Sequence, residues 1–316
     1  MTVDPSLAAL SDTLFSISVA LYSVAVVAFS AQFAFGRRPA RELVPAGAEA
    51  PLDAAPAAEA EPGRRWGLLG LGLTVFGALT HAGVLLTRGL AADRLPWGNM
   101  YEFATAVVLV GVVAFLVLAV RTPVVRNLGA FVTGPVVLAL VGIGLFLYAE
   151  AGPLIAALRS SWLAVHVSSA ILGFGIFFVS GIASVLYLVR VRAETRVAAG
   201  GPAGGRVVSG LPSAATLDRV AHRTAVFGFP IWTFAVIAGA IWAESAWGRF
   251  WGWDPKETWA FIAWVVYAAY LHARTTAGWR GRPAAWVNVV GLAVMVFNLL
   301  YVNMVSTGLH SYAGVE

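Results

Sequence analysis

The chain has 316 residues, of which 59% are hydrophobic and only 12% charged, with a formal charge of +5. That is about half the charge of an ordinary soluble domain, too little polar surface to cover a soluble globule of this size. A soluble enzyme, a disordered chain and a collagen-like fibre are excluded. What is left is an all-α polytopic membrane protein, because the apolar runs are continuous and about twenty residues long, where a barrel needs shorter alternating segments.

In chain order, apolar runs at about 14–36, 66–87, 101–120, 128–149, 162–189, 225–243, 258–273 and 284–306 predict eight transmembrane helices. The N-terminus carries Asp4 and Asp12 and no cation, unlike a signal peptide, so the first run reads as a retained span. With the Ala-, Pro- and Glu-rich linker 37–65 it makes up a first unit, 1–65; residues 66–316 form the main membrane domain. The segment 190–224 holds a Gly-rich stretch, GGPAGG, and then LPSAATLDRVAHR, which predicts a short amphipathic helix on the membrane. No internal repeat is evident, which argues against an inverted-repeat transporter. Pro135 and Pro230 are potential helix breaks, but neither lies beside an intramembrane charge.

Orientation follows from the basic residues. With the N-terminus outside, Arg88, Arg94, Arg159, Arg249 and Lys256 fall outside, and the remaining sixteen of the 21 Lys and Arg fall inside. An inner excess of this size predicts N-out, C-out. The basic pI of 9.9 is then a topology feature, not a nucleic-acid signal. There is no Cys, which removes disulfides, zinc–thiolate sites, iron–sulfur clusters and a CxxCH haem attachment site in this chain.

One loop stands apart, WAESAWGRFWGWDPKETWAFIAW, expected on the outer side over about 242–258. Six of the twelve Trp lie between Trp242 and Trp264. An interfacial belt accounts for Trp66, Trp97, Trp162, Trp279 and Trp286, one near each span end. It does not account for Trp247, Trp251 and Trp253 together, a patch that a flat aromatic ligand or the membrane would cover. Asp254, Pro255 and Glu257 have the spacing of an N-cap, first helical residue and capping-box partner, so capping is favoured over catalysis for both acids. Arg249 and Lys256 flank the Trp cluster and suit an anionic group, either a propionate or lipid headgroups.

Of five histidines, His222 lies beside Arg223 and reads as solvated. His81 sits about six residues before its span's outer end and is expected to hydrogen-bond a neighbouring helix. His272 is roughly 26 Å down its helix from Pro255, near the inner face. His166 and His310 share the outer surface with the Trp loop. Neutral imidazole ligates haem iron, and two imidazoles on opposite faces of one macrocycle, edged by Trp, make a coherent site. These residues alone do not select haem over another planar ligand.

The run WGRFWGWDPKETWAFIAWVVYAAYLHAR resembles the Trp-rich WWD signature of haem-handling proteins in cytochrome c maturation. From about 81 to 314 the chain resembles the CcsA (ResC-type) family of system II cytochrome c biogenesis. LPWGNMYEFA matches its outer segment at Pro96, Asn99, Tyr101 and Glu102, SWLAVHVSSA its first external His, YLHAR its membrane His and GLHSYAG its second external His. The resemblance implies His166 and His310 as axial ligands of an external haem b in transit. Trp247, Trp251, Trp253, Asp254, Arg249, Lys256 and Trp259 would surround it. It implies His272 as ligand of a second, inner haem, whose other ligand comes from a CcsB (ResB) partner. The implied task is to move haem across a bacterial plasma membrane and present it to the CxxCH of apocytochrome c, as part of the holocytochrome c synthase. This chain would supply ligation and positioning, not an acid–base pair. Rival readings are a b-type electron-transfer protein using His81 and His166, a system I relative, a transporter for another solute, and a ligand-free scaffold.

Overall fold

A computed structural model of the chain describes residues 3–35, 61–154, 158–202, 205, 208, 210–306 and 308–310. Among these there is helix and no strand. Eight α-helices follow one another: α1 (Pro5–Phe35), α2 (Glu61–Ala91), α3 (Met100–Arg121), α4 (Gly129–Phe146), α5 (Ser161–Ala198), α6 (Ala214–Trp247), α7 (Pro255–Thr275) and α8 (Arg282–Met304); a 3₁₀ turn, Pro123–Leu128, joins α3 to α4. The protein is a multi-pass membrane protein. Seven of these helices are long and apolar enough to cross a bilayer, by length and composition. Of the eight expected spans α7 is the least apolar, because Trp259, Trp264, Tyr267, Tyr270, His272 and Arg274 lower its hydropathy. Aromatic rings with polar tips suit interfaces better than bilayer centres.

The helices associate in neighbouring pairs. α1 packs along α2, α5 along α6, and α7 along α8, while α3 bridges α5 to α4 and α2. The α1–α2 seam shows why: Gly67, Gly70 and Gly77 leave room on α2 for Gln32, Phe29 and Tyr22 of α1, the small-residue contact that lets membrane helices approach closely. Buried hydrogen bonds add specificity between helices. Asn288 of α8 donates to Ser180 Oγ (2.9 Å) and Ser184 Oγ (2.8 Å) on α5, and Ser180 donates to Ala221 O on α6 (2.7 Å). Trp264 Nε1 on α7 donates to Thr233 Oγ1 on α6 (2.9 Å).

Three local expectations change. The stretch 214–224 forms the first turns of α6 and not a separate surface helix. Asp218 finds its partner there, with Arg274 donating to it at 2.7 Å. Pro135 and Pro230 sit inside α4 and α6 without ending them. His222 is half-buried with its ring edge-on to Tyr270, 6.5 Å between centroids, and is not simply solvated. The linker 37–65 lies largely outside the described residues.

The loops after α2, α4 and α6 gather at one end of the bundle with the segment after α8. Asp4 N–H donates to Ala91 O (2.9 Å), Tyr148 to Asp12 (2.9 Å), and Leu309 N–H to Asp254 (2.7 Å). At this end Arg88 and Arg94 close on Glu102, which is fully buried. Arg88 Nε donates to Oε1 (3.0 Å), Arg94 donates to both oxygens (2.7 and 2.9 Å), and Gly98 N–H adds a fourth bond (2.7 Å). Arg88 also donates to Ala149 O and lies 4.6 Å from the Tyr101 ring centroid. With Asn99 capping α3 through Glu102 N–H (2.9 Å), this knot shapes the 94–99 loop, one wall of the cavity beside it.

Candidate functional site

The cavity is framed by α3, α5, α6, α7 and the 308–310 segment, with an empty volume of about 1160 Å³, its open mouth included. Its walls are built by local sequence logic. α6 ends after Trp247 at Gly248, whose φ of 71° is the left-handed cap that glycine favours. The chain then turns through Trp253, a non-glycine residue at φ 57°. A left-handed residue with a bulky side chain costs about 1–3 kcal/mol, held here by the start of α7. Asp254 caps that helix, Pro255 takes its first position, and Glu257 accepts from the Asp254 N–H (3.2 Å) and the Gly252 N–H (2.8 Å). The capping box thus fixes the Trp loop onto α7.

Asp254 has a second task. Its Oδ1 accepts from His310 Nδ1 (2.8 Å), and its Oδ2 accepts from Leu309 N–H (2.7 Å). Gly308 is required beside it, since a Cβ there would run into Oδ2. Burial works to raise the Asp254 pKa, but the His310 hydrogen bond and charge, with the N–H groups of Lys256 and Leu309, hold it down at about 2. An ionised carboxylate on Nδ1 orients the His310 ring and assigns the proton to Nδ1, so the neutral ring presents Nε2 as its lone-pair nitrogen.

His166 is set in the same way by a different acceptor. Its Nδ1 lies 2.8 Å from Ala235 O on α6. A carbonyl only accepts, so Nδ1 carries the proton and Nε2 the lone pair. Gly239, one turn along α6, makes room for the ring, since a Cβ there would come within 2.7 Å of it. Trp242 lies against both imidazoles: its centroid is 5.8 Å from His166, near parallel, and 5.8 Å from His310, edge-on. Trp247 is 5.0 Å from His310 and 4.8 Å from Trp242.

The structure brings His166, His310, Trp247, Trp251 and Lys256 to this one cavity, with Asp254 behind His310. Lys256 Nζ is 5.8 Å from the Phe103 ring centroid. Trp253 stands at the rim, 67% exposed and edge-on to Trp251 at 5.7 Å. Arg249 is exposed on the same loop, folded over Gly252. Trp259 faces away, packed on Phe297 at 4.3 Å. His272 is exposed near the other end of α7. His81 does not line the cavity; it is buried between helices, its Nδ1 3.4 Å from Tyr22 Oη on α1.

Sequence reasoning missed Trp242 and Trp97 as lining residues. Trp97 Nε1 and Glu257 Oε1 are buried there without a hydrogen-bond partner. Gly239 was a usable signal: glycine within a helix costs stability and marks close approach of another group. The donor set can do something definite. Two lone-pair imidazole nitrogens, indole faces, a lysine and an unsatisfied indole N–H fit a planar iron macrocycle bearing an anionic edge.

The family model "Cytochrome C assembly protein" matches residues 97–310, which contain the whole cavity. The chain is 35% identical over 258 residues to the cytochrome c biogenesis protein CcsA of Guillardia theta, covering 77% of this chain and 85% of that one. It is 36% identical over 274 residues to CcsA of Synechococcus elongatus, covering 74% and 84%. Among solved structures it shares its fold with a cytochrome c haem lyase, CcmF, at a TM-score of 0.63 and 17% identity, over 95% of this chain and 47% of that chain.

Proposed function

The chain belongs to the cytochrome c assembly protein family and acts in cytochrome c biogenesis; from that premise we propose that its cavity holds haem b, as cargo, between His166 and His310 and presents it to apocytochrome c. The observation that carries this reading is the pair of pinned tautomers. Ala235 O and Asp254 each hold an Nδ1, so both rings offer Nε2, the arrangement of histidines that ligate a metal.

The remaining residues have roles in the same reading. Trp242, Trp247 and Trp251 line the macrocycle, with Trp253 at the edge where a peptide arrives. Lys256 and Trp97 Nε1 receive the propionate side, and Arg249 serves it from the rim. Bound haem supplies vinyl groups to the two thiols of a CxxCH segment, and the substrate's own histidine displaces one of the chain's axial ligands. His310 is the ligand to yield, because it sits on a short segment anchored through Asp254, whereas His166 sits on α5.

The reading extends to topology and partners. In this reading the cavity end faces the outer side of a bacterial plasma membrane, which the expected inner excess of arginine supports. His272, far from this cavity and exposed, ligates a second haem only with a ligand from a CcsB/ResB-type partner, and the two chains together form the synthase. Trp259 shapes the α7–α8 contact behind the platform.

The experiment is an absorption spectrum of purified protein with haem supplied. His166→Gly and His310→Gly should each abolish the six-coordinate bis-imidazole spectrum, and added imidazole should restore it. Unchanged spectra in both variants would remove the axial pair.

A further inference from the structure

The capping box of α7 uses only half of its carboxylate. Glu257 Oε2 accepts from Gly252 N–H (2.8 Å) and Asp254 N–H (3.2 Å), while Oε1 is buried without a hydrogen-bond partner. Glu257 lines the Trp/His cavity and is only 9% exposed. A buried acceptor without a donor is costly, and a catalytic task is one of the few reasons to keep one.

The chemistry proposed for the cavity has a matching need. Adding a thiol across a vinyl group moves a proton from sulfur to carbon, and a nearby group must hold it in between. Among the described residues lining the cavity Glu257 is the only acid. His166 and His310 give Nε2 to iron while both coordinate it, and Lys256 is taken by a propionate. Asn99 Oδ1 accepts from Glu102 N–H at 2.9 Å. The amide of Asn298 is not a base, and Trp97 Nε1 only donates. A carboxylate also repels a propionate, so Glu257 serves the neutral vinyl edge of the macrocycle. The loop it fixes carries Trp253, at the rim where a peptide arrives.

We propose that Glu257 Oε1 is the proton shuttle of thioether attachment, taking the proton of each CxxCH thiol and returning it to the vinyl group. The proposal rests on the haem reading of the cavity and adds a catalytic residue to it. The S–H bond breaks, its proton goes to Oε1, and its electron pair stays on sulfur. Sulfur bonds to the vinyl carbon next to the ring, and the C=C π pair moves to the terminal carbon. That carbon takes the proton back from Oε1. Nothing is oxidised or reduced, and the carboxylate is regenerated for the second thiol.

Glu257→Gln separates this task from capping, because Gln also completes a capping box but cannot take up a proton. The haem-loaded full chain, with a ResB-type partner, is mixed with a reduced synthetic CxxCH peptide, and thioether product is followed by mass and absorption. At pH 6.5 about 1% of a thiol of ordinary pKa, near 8.5, is thiolate. The Gln variant should therefore attach haem about 100-fold more slowly than wild type at pH 6.5, and within about threefold at pH 8.5. His166, His310 and Lys256 face Glu257 across the cavity, and Asp254 and Arg249 lie on its own loop. All five are unchanged in the variant, so the difference between the two profiles belongs to Glu257.

The bis-imidazole spectrum of the Gln variant should match wild type. If the variant loads less haem, Glu257→Ala decides: added formate should restore its rate per loaded haem. Equal rates at pH 6.5 overturn the proposal and give the proton to another group. A deficit that persists at pH 8.5, with no rescue by formate, overturns it too and leaves Glu257 as a helix cap. A wild-type spectrum without thioether product removes the attachment step but not the ligation. A wild type that never develops the spectrum removes the haem reading itself.

Discussion

Two buried polar clusters sit side by side at one end of this protein, and they are built to opposite ends. Around Glu102 every carboxylate bond is taken up, by Arg88, by Arg94 and by the Gly98 N–H. Around His166 and His310 the two Nδ1 atoms are pinned, to Ala235 O and to Asp254, and the neighbouring Trp97 Nε1 and Glu257 Oε1 are buried without a hydrogen-bond partner. A closed set of bonds is scaffold. A set with coordinating capacity left over, facing a cavity, is a site. The first cluster shapes the 94–99 loop, and the second uses that loop as a wall.

The comparison is sharpened most by Glu102→Leu. It strands two arginines against each other in a buried setting, and breaking a buried ion pair from one side costs about 3–5 kcal/mol. Thermal unfolding in detergent should show the largest loss of any single change considered. A loss below about 1 kcal/mol would mean the knot is solvated and not scaffold.

Asp254→Ala comes next, at about 1–3 kcal/mol, because it removes a helix cap and a charge-assisted bond together. Unlike Glu102→Leu it should also shift the haem spectrum, since His310 loses its orienting carboxylate. Asp254→Asn retains the cap, so it should recover most of the stability but not the full spectrum. Recovery of both by Asn would reduce Asp254 to a capping residue.

How far each cluster was legible follows from sequence distance. The helices were legible because hydropathy is local, and the capping box at Asp254 was legible because its members lie within four residues. Arg88, Arg94 and Glu102 were read separately, two as outer cations and one as part of a motif. Their union depends on a turn that folds α2 back against α3. Likewise Asp254 and His310 lie 56 residues apart, and no periodicity predicts that bond. The polar first turns of α6 hid its true start, since Asp218 finds its partner Arg274 only on α7.

Trp251→Ala combined with Trp253→Ala tests the rim of the open cluster. Neither ring is fully buried, so stability should fall by about 1 kcal/mol, mostly from lost aromatic contacts. Haem retention measured by gel filtration should drop well below that of Trp66→Ala, whose ring stacks on Phe35 away from the cavity. Equal retention would return the loop tryptophans to an interfacial belt.

His272→Ala should have the smallest effect on the isolated chain. The residue is exposed, and an exposed substitution away from caps and pairs usually stays within about 0.5 kcal/mol. Its helix still begins with the Trp loop, so any coupling to the cavity would have to travel along α7. Rigid packing makes that route silent: Tyr267 stacks on Phe177 at 3.5 Å between the two ends. The bis-imidazole spectrum of the isolated variant should therefore match wild type. If the proposed second haem takes its other ligand from a ResB-type partner, a change should emerge only after such a partner is added. If instead His272→Ala alone erased the spectrum of the cavity end, the two ends would be one site, and the contrast between a closed scaffold and an open ligand cavity would not describe this protein.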